Sequence, residues 1–547
     1  MKKSVVRWCV GAVAALLALL PASFAQAQSG DPAPALVVTI GPADALLKDI
    51  GYLTKTAGQA QAGGFLQIMA GQYLAPMDRE RPAGVYMSLD TGMPVPAAFL
   101  PVADFDGFVS MIADQVGVDP EIDGDMTIIA MNGGEDLYLI QQGDWTYASN
   151  QPDALSNLPN DPMDLIEGLE DYDIAVRVFG QNVPGPMKAM AIDAMRGGFE
   201  DALRNLPPEQ AEMQREIQGR NLENLANLIT ELDELTVGLA IDQEAGELRL
   251  DMIATALDGS VMAESANNQV GAVSSFLGFL SDNAAVSMNG VSRLGDDQIA
   301  QATQSFDSLF SAFVRQMEDE GSMSDEELDI AKGILDTFQS SLEATVESGK
   351  MDFGFQMLLD ADNASISGGG YFLETDKIEA KVKELVALAR QEAPPGVQFN
   401  LDVIKENGIN WHEIVIPVPD DQDEAYQIFG DSVSIWLGVA DEAIYFSAGK
   451  NAQEAVLEAI ADSESAQQTE GRNFEMNADI GKIVEFAGTQ EPSAAMVADM
   501  LGDLEPTISL YGDVVENGSR TRLVIREDVI KAIGQITAQF GGGGANF

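Results

Sequence analysis

The sequence predicts an α+β protein of two related halves, each made of antiparallel hairpin sheets packed with long helices. Three observations carry that expectation. Runs that alternate apolar and polar residues flank short Gly-, Asn- and Asp-containing turns, as where Val237, Leu239 and Ile241 are followed across Glu244-Ala245-Gly246 by Leu248, Leu250 and Met252. Stripes of helical period lie between these hairpins, the clearest being Leu222, Leu225, Leu228, Ile229 and Leu232. Finally, Leu100-Pro101-Val102-Ala103-Asp104 has a near copy in Ile416-Pro417-Val418-Pro419-Asp420, and Trp145-Thr146-Tyr147-Ala148-Ser149 aligns with Ala443-Ile444-Tyr445-Phe446-Ser447. The order of elements therefore restarts midway.

In chain order, residues 1–27 read as an export signal. Lys2, Lys3 and Arg7 precede an apolar run over 9–20, Pro21 breaks it, and Ala25-Gln26-Ala27 is the small-x-small pattern of a cleavage site. The run is shorter than the roughly 20 apolar residues that cross a bilayer. Residues 35–40 predict a strand, 43–55 a helix and 65–69 a second helical stretch. Strands over 84–89 and 97–102 flank Asp90-Thr91-Gly92, and Asp104 stands where a helix with Phe105, Phe108, Val109 and Ile112 on one face should begin. Strands over 126–131, 136–141 and 144–149 follow, separated by Gly133-Gly134 and Gly143. A strand over 174–179, helices over 187–206 and from Pro207-Pro208 to about 232, the hairpin over 237–252 and a helix over about 260–280 complete this half.

From Asn283 the second half begins, with a strand over 285–288 and a helix marked by Ile299, Ala302, Phe306, Leu309, Phe310, Phe313 and Met317. Ser324 with Glu327 has the capping-box pattern for the next helix. A hairpin over 353–359 and 365–372 surrounds Asp360-Ala361-Asp362-Asn363, and Ile378, Val382, Leu385 and Leu388 give a helix behind it. A hairpin over 398–404 and 409–416 turns at Glu406-Asn407-Gly408, and a last strand, helix, hairpin and helix over 473–539 turns at Glu516-Asn517-Gly518. The expected organisation is a signal peptide over 1–27, a first half over 34–281 with units of about 34–160 and 171–281, a second half over 282–540 with units of about 282–392 and 396–540, and a flexible Gly-rich tail over 541–547.

Composition narrows the function. Loss of residues 1–27 leaves 27 basic against 87 acidic residues, a formal charge of −60. Nucleic acid is an improbable partner, because binding it depends on Lys and Arg neutralising phosphates, and anionic membranes are disfavoured for the same reason. The acids are spread along the chain, so a solvated, self-repelling surface is the expectation, with divalent cations as the alternative reading. The only cysteine, Cys9, lies in the leader, so the mature chain has no disulfide framework and must rest on its apolar cores.

No catalytic, cofactor-binding or metal-ligating residue is assigned from sequence. Asp104 and Asp420, with Asp106, Asp421, Asp423 and Glu424 beside them, read as helix caps and first-turn acids that free N–H groups prefer. His412 is the only histidine and alternates on a strand with Asn410 and Ile414, so it reads as a satisfied or rim residue; alone it excludes the usual zinc sites, and the absence of thiols excludes c-type haem. Ser447-Ala448-Gly449-Lys450, Ser281-Asp282-Asn283 and Lys55-Thr56-Ala57-Gly58 echo the motifs of penicillin-recognising enzymes, but in reverse order and without a lysine after the repeat serine Ser149. Asp360-Ala361-Asp362-Asn363 and Asp123-Gly124-Asp125 start like calcium loops and lack the glycine and glutamate that an EF-hand needs; calcium is left open without a motif. The methionines near Met187, Met190, Met195, Met496 and Met500 read as core filling, or as an adaptable apolar groove.

The segment Phe99-Leu100-Pro101-Val102-Ala103-Asp104-Phe105-Asp106-Gly107-Phe108 resembles a stretch of exported bacterial envelope proteins of unknown function built from repeated α+β units. The resemblance implies an envelope location and carries no activity or site residue. The functional expectation is an exported, acidic, non-catalytic binding or envelope-associated structural protein, periplasmic, cell-surface or extracellular. The alternatives are a carrier holding a lipid or peptide in a groove between helices and sheet, and a carboxylate-dependent hydrolase.

Overall fold

Strand alternation and helix stripes build the same framework twice. The computed structural model describes residues 33–89, 94–131, 134–204, 206–320, 325–360, 363–419 and 422–540, and divides into two compact units, Met1–Ala263 and Glu264–Phe547. In unit 1, β1 (Pro34–Ile40) leads through a helical hairpin, α1 (Ala43–Thr56) and α2 (Ala60–Tyr73), to β2 (Ala83–Ser88), β3 (Val95–Leu100) and α3 (Phe105–Val116). A meander follows, β4 (Glu121–Asp123), β5 (Met126–Ala130), β6 (Asp136–Gln142) and β7 (Trp145–Ser149). The first pattern then repeats as β8 (Ile174–Phe179), α4 (Gly185–Leu203), α5 (Pro208–Glu231), β9 (Leu232–Asp242), β10 (Glu247–Ala256) and α6 (Val261–Asn268). All pairings are antiparallel, and the strand order is β4-β5-β6-β7-β3-β2-β1-β8-β9-β10.

Unit 2 runs β11 (Val286–Arg293), α7 (Asp296–Glu320), α8 (Asp325–Glu347), β12 (Lys350–Asp360), β13 (Asn363–Tyr371) and α9 (Thr375–Glu392). Its meander is β14 (Gln398–Glu406), β15 (Ile409–Pro417), α10 (Asp423–Phe429), β16 (Ser432–Val439) and β17 (Ala443–Gly449), closed by α11 (Ala452–Ser465). Then come β18 (Arg472–Asp479), α12 (Ile480–Gln490), α13 (Pro492–Leu501), β19 (Thr507–Val515), β20 (Gly518–Arg526) and α14 (Glu527–Phe540). The strand order is β14-β15-β16-β17-β13-β12-β11-β18-β19-β20, again antiparallel throughout. Adding ten to each strand number of unit 1 reproduces it.

The register agrees residue by residue. A row of cross-strand partners in unit 1 runs Met126, Ile140, Tyr147, Phe99, Gly84, Thr39, Ala175, Gly238, Asp251. The matching row in unit 2 runs Trp411, Gly438, Tyr445, Gly369, Gly354, Asn289, Glu475, Tyr511, Arg522. Glycine recurs at one place for one reason: a Cβ on Gly84 would stand 2.3 Å from the Phe99 ring, and one on Gly354 2.7 Å from the Phe276 carbonyl. The two halves are thus one topology in duplicate, and each contains the pattern of strand, helical hairpin, two strands and helix twice.

Period-two alternation splits the core of unit 1 between the two sheet faces. Ala97, Phe99, Trp145 and Tyr147 face one way, under Leu155, Ile166 and Leu169. Ala98 and Ala148 face the other way, with Val102, Ile129 and Leu139, under Phe108 and Val109 of α3. In unit 2 the first face holds Trp411 and Trp436 against Phe276, Phe279 and the Ala452, Val456 and Ala459 stripe of α11.

Several expectations change. The Tyr-x-Ser alignment holds, since Tyr147 and Tyr445 occupy the same place, but the five-residue echo does not mark equivalent positions. Leu100–Asp104 follows β3, whose counterpart is β13, whereas Ile416–Asp420 follows β15, the counterpart of β5. A proline that ends a strand is a local device and recurs wherever a ladder stops. The helix expected over 260–280 ends at Asn268, beyond which Gly271 has φ 72° and Phe276 and Phe279 join the core of unit 2. That packing assigns 264–281 to the second unit. The strands β4 and β16 were not anticipated. The signal, Asp90-Thr91-Gly92, Gly133, Ser324, Ala361-Asp362, Asp420-Asp421 and the Gly-rich tail lie outside the described residues.

Candidate functional site

One sequence-weighed residue sits among other ionisable groups. His412, 3% exposed on β15, faces α9, where Glu379 and Lys383 stand one turn apart, and the bulged edge strand β14, where Asp402 has φ 54°. The Lys383 Nζ donates to Glu379 Oε1 at 2.7 Å and to Asp402 Oδ1 at 2.6 Å, and Asn410 Nδ2 donates to the same two oxygens at 2.6 Å each. Burial pushes Glu379 up, but hydrogen bonds from Lys383 and Asn410 and the nearby positive charge outweigh it and hold the carboxyl below its usual range. Hydrogen bonds from Lys383 and Asn410 depress Asp402 likewise, and burial is the chief reason His412 is shifted down.

Glu379, Asp402 and His412 bring ligand atoms within 4.8 Å of one another, close enough to hold a metal ion. The donor chemistry points elsewhere. The Lys383 ammonium already occupies the space between the two carboxylates. The His412 Nδ1 lone pair accepts from the Asp402 backbone N–H at 3.1 Å, which places the imidazole proton on Nε2, 3.4 Å from Glu379 Oε1. A metal would have to displace one cation and reverse one tautomer, so the cluster reads as a self-neutralised network that pins the bulged edge strand.

The duplication supplies an internal control. Through the register, His412 corresponds to Thr127, and counting from the N-caps Asp104 and Glu374 places Glu379 on Val109 and Lys383 on Ala113. Those three residues lie in or beside the apolar cluster under α3. One copy of the fold therefore builds this interface from grease and the other from charge. Replacing a buried ionic network by hydrophobic residues is commonly neutral or stabilising, whereas removing one member is not. The triple variant E379V/K383A/H412T is expected to unfold within about 1 kcal/mol of the parent in urea, and Lys383→Ala alone to lose more than the triple variant.

The other sequence candidates are structural. Asp104 caps α3 by accepting from Gly107 N–H at 3.0 Å; α10 begins after Gln422 without a side-chain cap. Ser447 is fully buried in β17, out of reach of a substrate, and Met190 stands 71% exposed on α4 instead of filling a core. Asp123 lies exposed in the short strand β4.

Sequence reasoning missed a cleft of about 1080 Å³ in unit 2, between β18, β19 and the α12–α13 hairpin. Asp282, Glu475, Asp479, Glu485, Asp499, Asp503 and Glu505 line it, against Lys482 and Arg526. Part of that charge is engaged: Glu475 meets Arg472 at 3.1 Å, and Asp479 caps α12 at Lys482 N. Glu485, Asp499 and Asp503 make no ion pair among the described residues. Two smaller clefts in unit 1, about 450 and 560 Å³, are also walled mainly by polar and charged side chains. No helix among the described residues is long and apolar enough to cross a membrane.

No protein-family model, curated protein or solved structure matches this chain.

Proposed function

We propose that this chain is an exported, non-catalytic binding protein of the cell envelope, which uses the acidic cleft of unit 2 to hold a cationic partner. The observation that carries the reading is the charge balance of that wall, seven carboxylates against two basic side chains around about 1080 Å³. Polar walls in all three clefts favour a hydrophilic ligand over the lipid that an apolar carrier would need. The deeply buried acids, by contrast, are held by fixed partners and serve the fold. Asp352 accepts from Ser274 Oγ at 2.6 Å and Ser275 N–H at 2.8 Å with Lys350 at 3.2 Å, and Asp513 lies between Arg472 and Arg520. Their oxygens are taken up by these hydrogen bonds and ion pairs within the fold.

Calcium and a short polyamine are the probes of choice, a hard cation for clustered carboxylates and an extended one for the length of the cleft. Titration calorimetry of the mature chain at low salt should show saturable binding of at least one of them, weakened as salt screens the wall. The variant E485Q/D499N/D503N should weaken it by about tenfold, which corresponds to about 1.4 kcal/mol. Equal binding by the variant and the parent, or no saturable binding of either probe, would remove the reading.

A further inference from the structure

We propose that the open apolar face of the unit 1 sheet holds the acyl chains of a zwitterionic phospholipid, whose headgroup is met by two oppositely charged clefts at the sheet end. The cross-strand register puts three successive rows on that face, five strands wide from β2 through β1, β8 and β9 to β10. The middle row is Val85, Val38, Val176, Val237 and Met252, and the rows on either side are equally apolar. Not one residue of the three rows is buried, and Ile40, Leu250 and Met252 stand 43%, 41% and 48% exposed. Period two turns the intervening residues to the opposite face, where Val37, Thr39, Ala175, Thr236 and Asp251 are all buried. Over β3 and β7 the apolar face is closed by Phe108 and Val109 of α3; towards β10 it stays open. This part of the sheet hides polar side chains and leaves aliphatic ones to solvent, the reverse of the usual partition.

The duplication marks the same surface. In unit 2 the corresponding row is Phe355, Met288, Met476, Leu510 and Leu523, again apolar and again unburied. The neighbouring row on the opposite face has diverged, with Thr39, Ala175, Gly238 and Asp251 of unit 1 corresponding to Asn289, Glu475, Tyr511 and Arg522 of unit 2. Residues fully buried in neither copy have kept one character in both, which internal packing does not require and an apolar ligand does.

Charge at the sheet end selects the occupant. Helix α1 begins just after Ile40, and the cleft of about 560 Å³ beside it is lined by Lys48, Lys55 and Arg79 against Asp44 alone, in a chain of 87 acidic and 30 basic residues. Arg79 pairs with Asp44, whereas Lys48 and Lys55 make no ion pair among the described residues. The cleft of about 450 Å³ shares Lys48 and Gln243 with the first and has the opposite balance, Asp49, Asp171, Asp242 and Glu244 against Lys48 and Arg249. A phosphate suits the first cleft and an ammonium the second, and a zwitterionic phospholipid joins the two to long aliphatic chains. A second copy is disfavoured because two strongly acidic chains repel. A peptide would find no side-chain donor or acceptor on these rows for its backbone groups. The site shares no residue with the acidic cleft of unit 2, so either assignment can fail alone.

The test mixes the mature chain with vesicles of phosphatidylethanolamine and phosphatidylglycerol, removes the vesicles by flotation, and weighs the protein by native mass spectrometry. The parent should carry phosphatidylethanolamine in preference to phosphatidylglycerol, which has the phosphate and lacks the ammonium. V237D/M252D should lower the loaded fraction by at least about tenfold, since acyl chains would then have to bury carboxylates. K48Q/K55Q should lower it by about threefold, the scale of exposed charge pairs. Urea midpoints equal to the parent's establish that the variants fold, and Met252→Asp alone, at the most exposed of the charged-over positions, replaces the double variant if that one does not. An unloaded parent, equal loading of both lipids, or unchanged loading of V237D/M252D would overturn the proposal. So would a chain that floats with the vesicles without extracting lipid, which assigns the face to a bilayer surface, or an unloaded dimer that V237D/M252D separates, which assigns it to a second copy.

Discussion

Replacing Trp411 by alanine is expected to destabilise the protein by about 3 kcal/mol, one of the two largest single-site losses expected. The indole is fully buried between Ile409, Trp436, Phe276 and Phe279, with its ring 6.3 Å from that of Tyr445. Loss of a large buried aromatic removes its transfer free energy and leaves a cavity, about 3 to 5 kcal/mol together. The lower end applies here, because Trp411 Nε1 is buried without a hydrogen-bond partner among the described residues and that donor leaves with the ring. Gly438 makes room for the indole: a Cβ there would stand 2.7 Å from Trp411 Cη2. In unit 1 the same pair is Met126 and Ile140, a smaller residue facing a larger one. Gly438→Ile alone should therefore destabilise, while W411M/G438I should recover much of the loss, a coupling measurable by urea denaturation of the four proteins.

Asp513→Ala should cost a comparable amount, about 3 kcal/mol at neutral pH. The carboxylate is 7% exposed and accepts from Arg472 Nε at 3.1 Å and from Arg520 at 2.8 Å, while Arg472 also stacks on Tyr511 at 3.9 Å. Its removal leaves the mostly buried Arg472 with Glu475 as its remaining carboxylate, while Arg520 is a third exposed and can turn to water, which sets the lower end of the range. Burial pushes Asp513 up, but hydrogen bonds from Arg520 and Arg472 outweigh it and hold the carboxyl below its usual value. A depressed carboxylate contributes stability that is present above the unfolded value near 4 and is lost as pH falls through the folded one. The gap between parent and Asp513→Ala in urea midpoint should therefore be full at pH 7 and shrink below about pH 4. A gap that stays constant into acid would mean that packing, not the ion pairs, is what the residue supplies.

Fold class was legible because it rests on local periods. Val237, Leu239 and Ile241 alternate, and they form β9; the Leu222 to Leu232 stripe turns every 3.6 residues, and it lies along α5 and its end. Turn chemistry was legible too, since Asn407 and Gly408 both take positive φ, as a two-residue hairpin turn asks. The duplication was visible for a less secure reason. The Tyr-x-Ser match marks true equivalents, but the longer proline-containing echo does not, because short sequence likeness reports local conformation and not a place in the sheet. Helix 260–280 failed for a related cause: Phe276 and Phe279, near its expected end, are drawn into a core made by distant strands.

The sequence by itself determined the elements, their order and the presence of a single cysteine, because these follow from period, turn residues and composition within short windows. Tertiary structure alone decided which charges are spent on the fold. Asp513 and Asp352 vanish into ion pairs, His412 meets a lysine and two acids, and Glu485, Asp499 and Asp503 reach the wall of an acidic cleft. An acid's role depends on which charges, donors and solvent surround it, and those neighbours are brought together only when strands far apart in the chain pair.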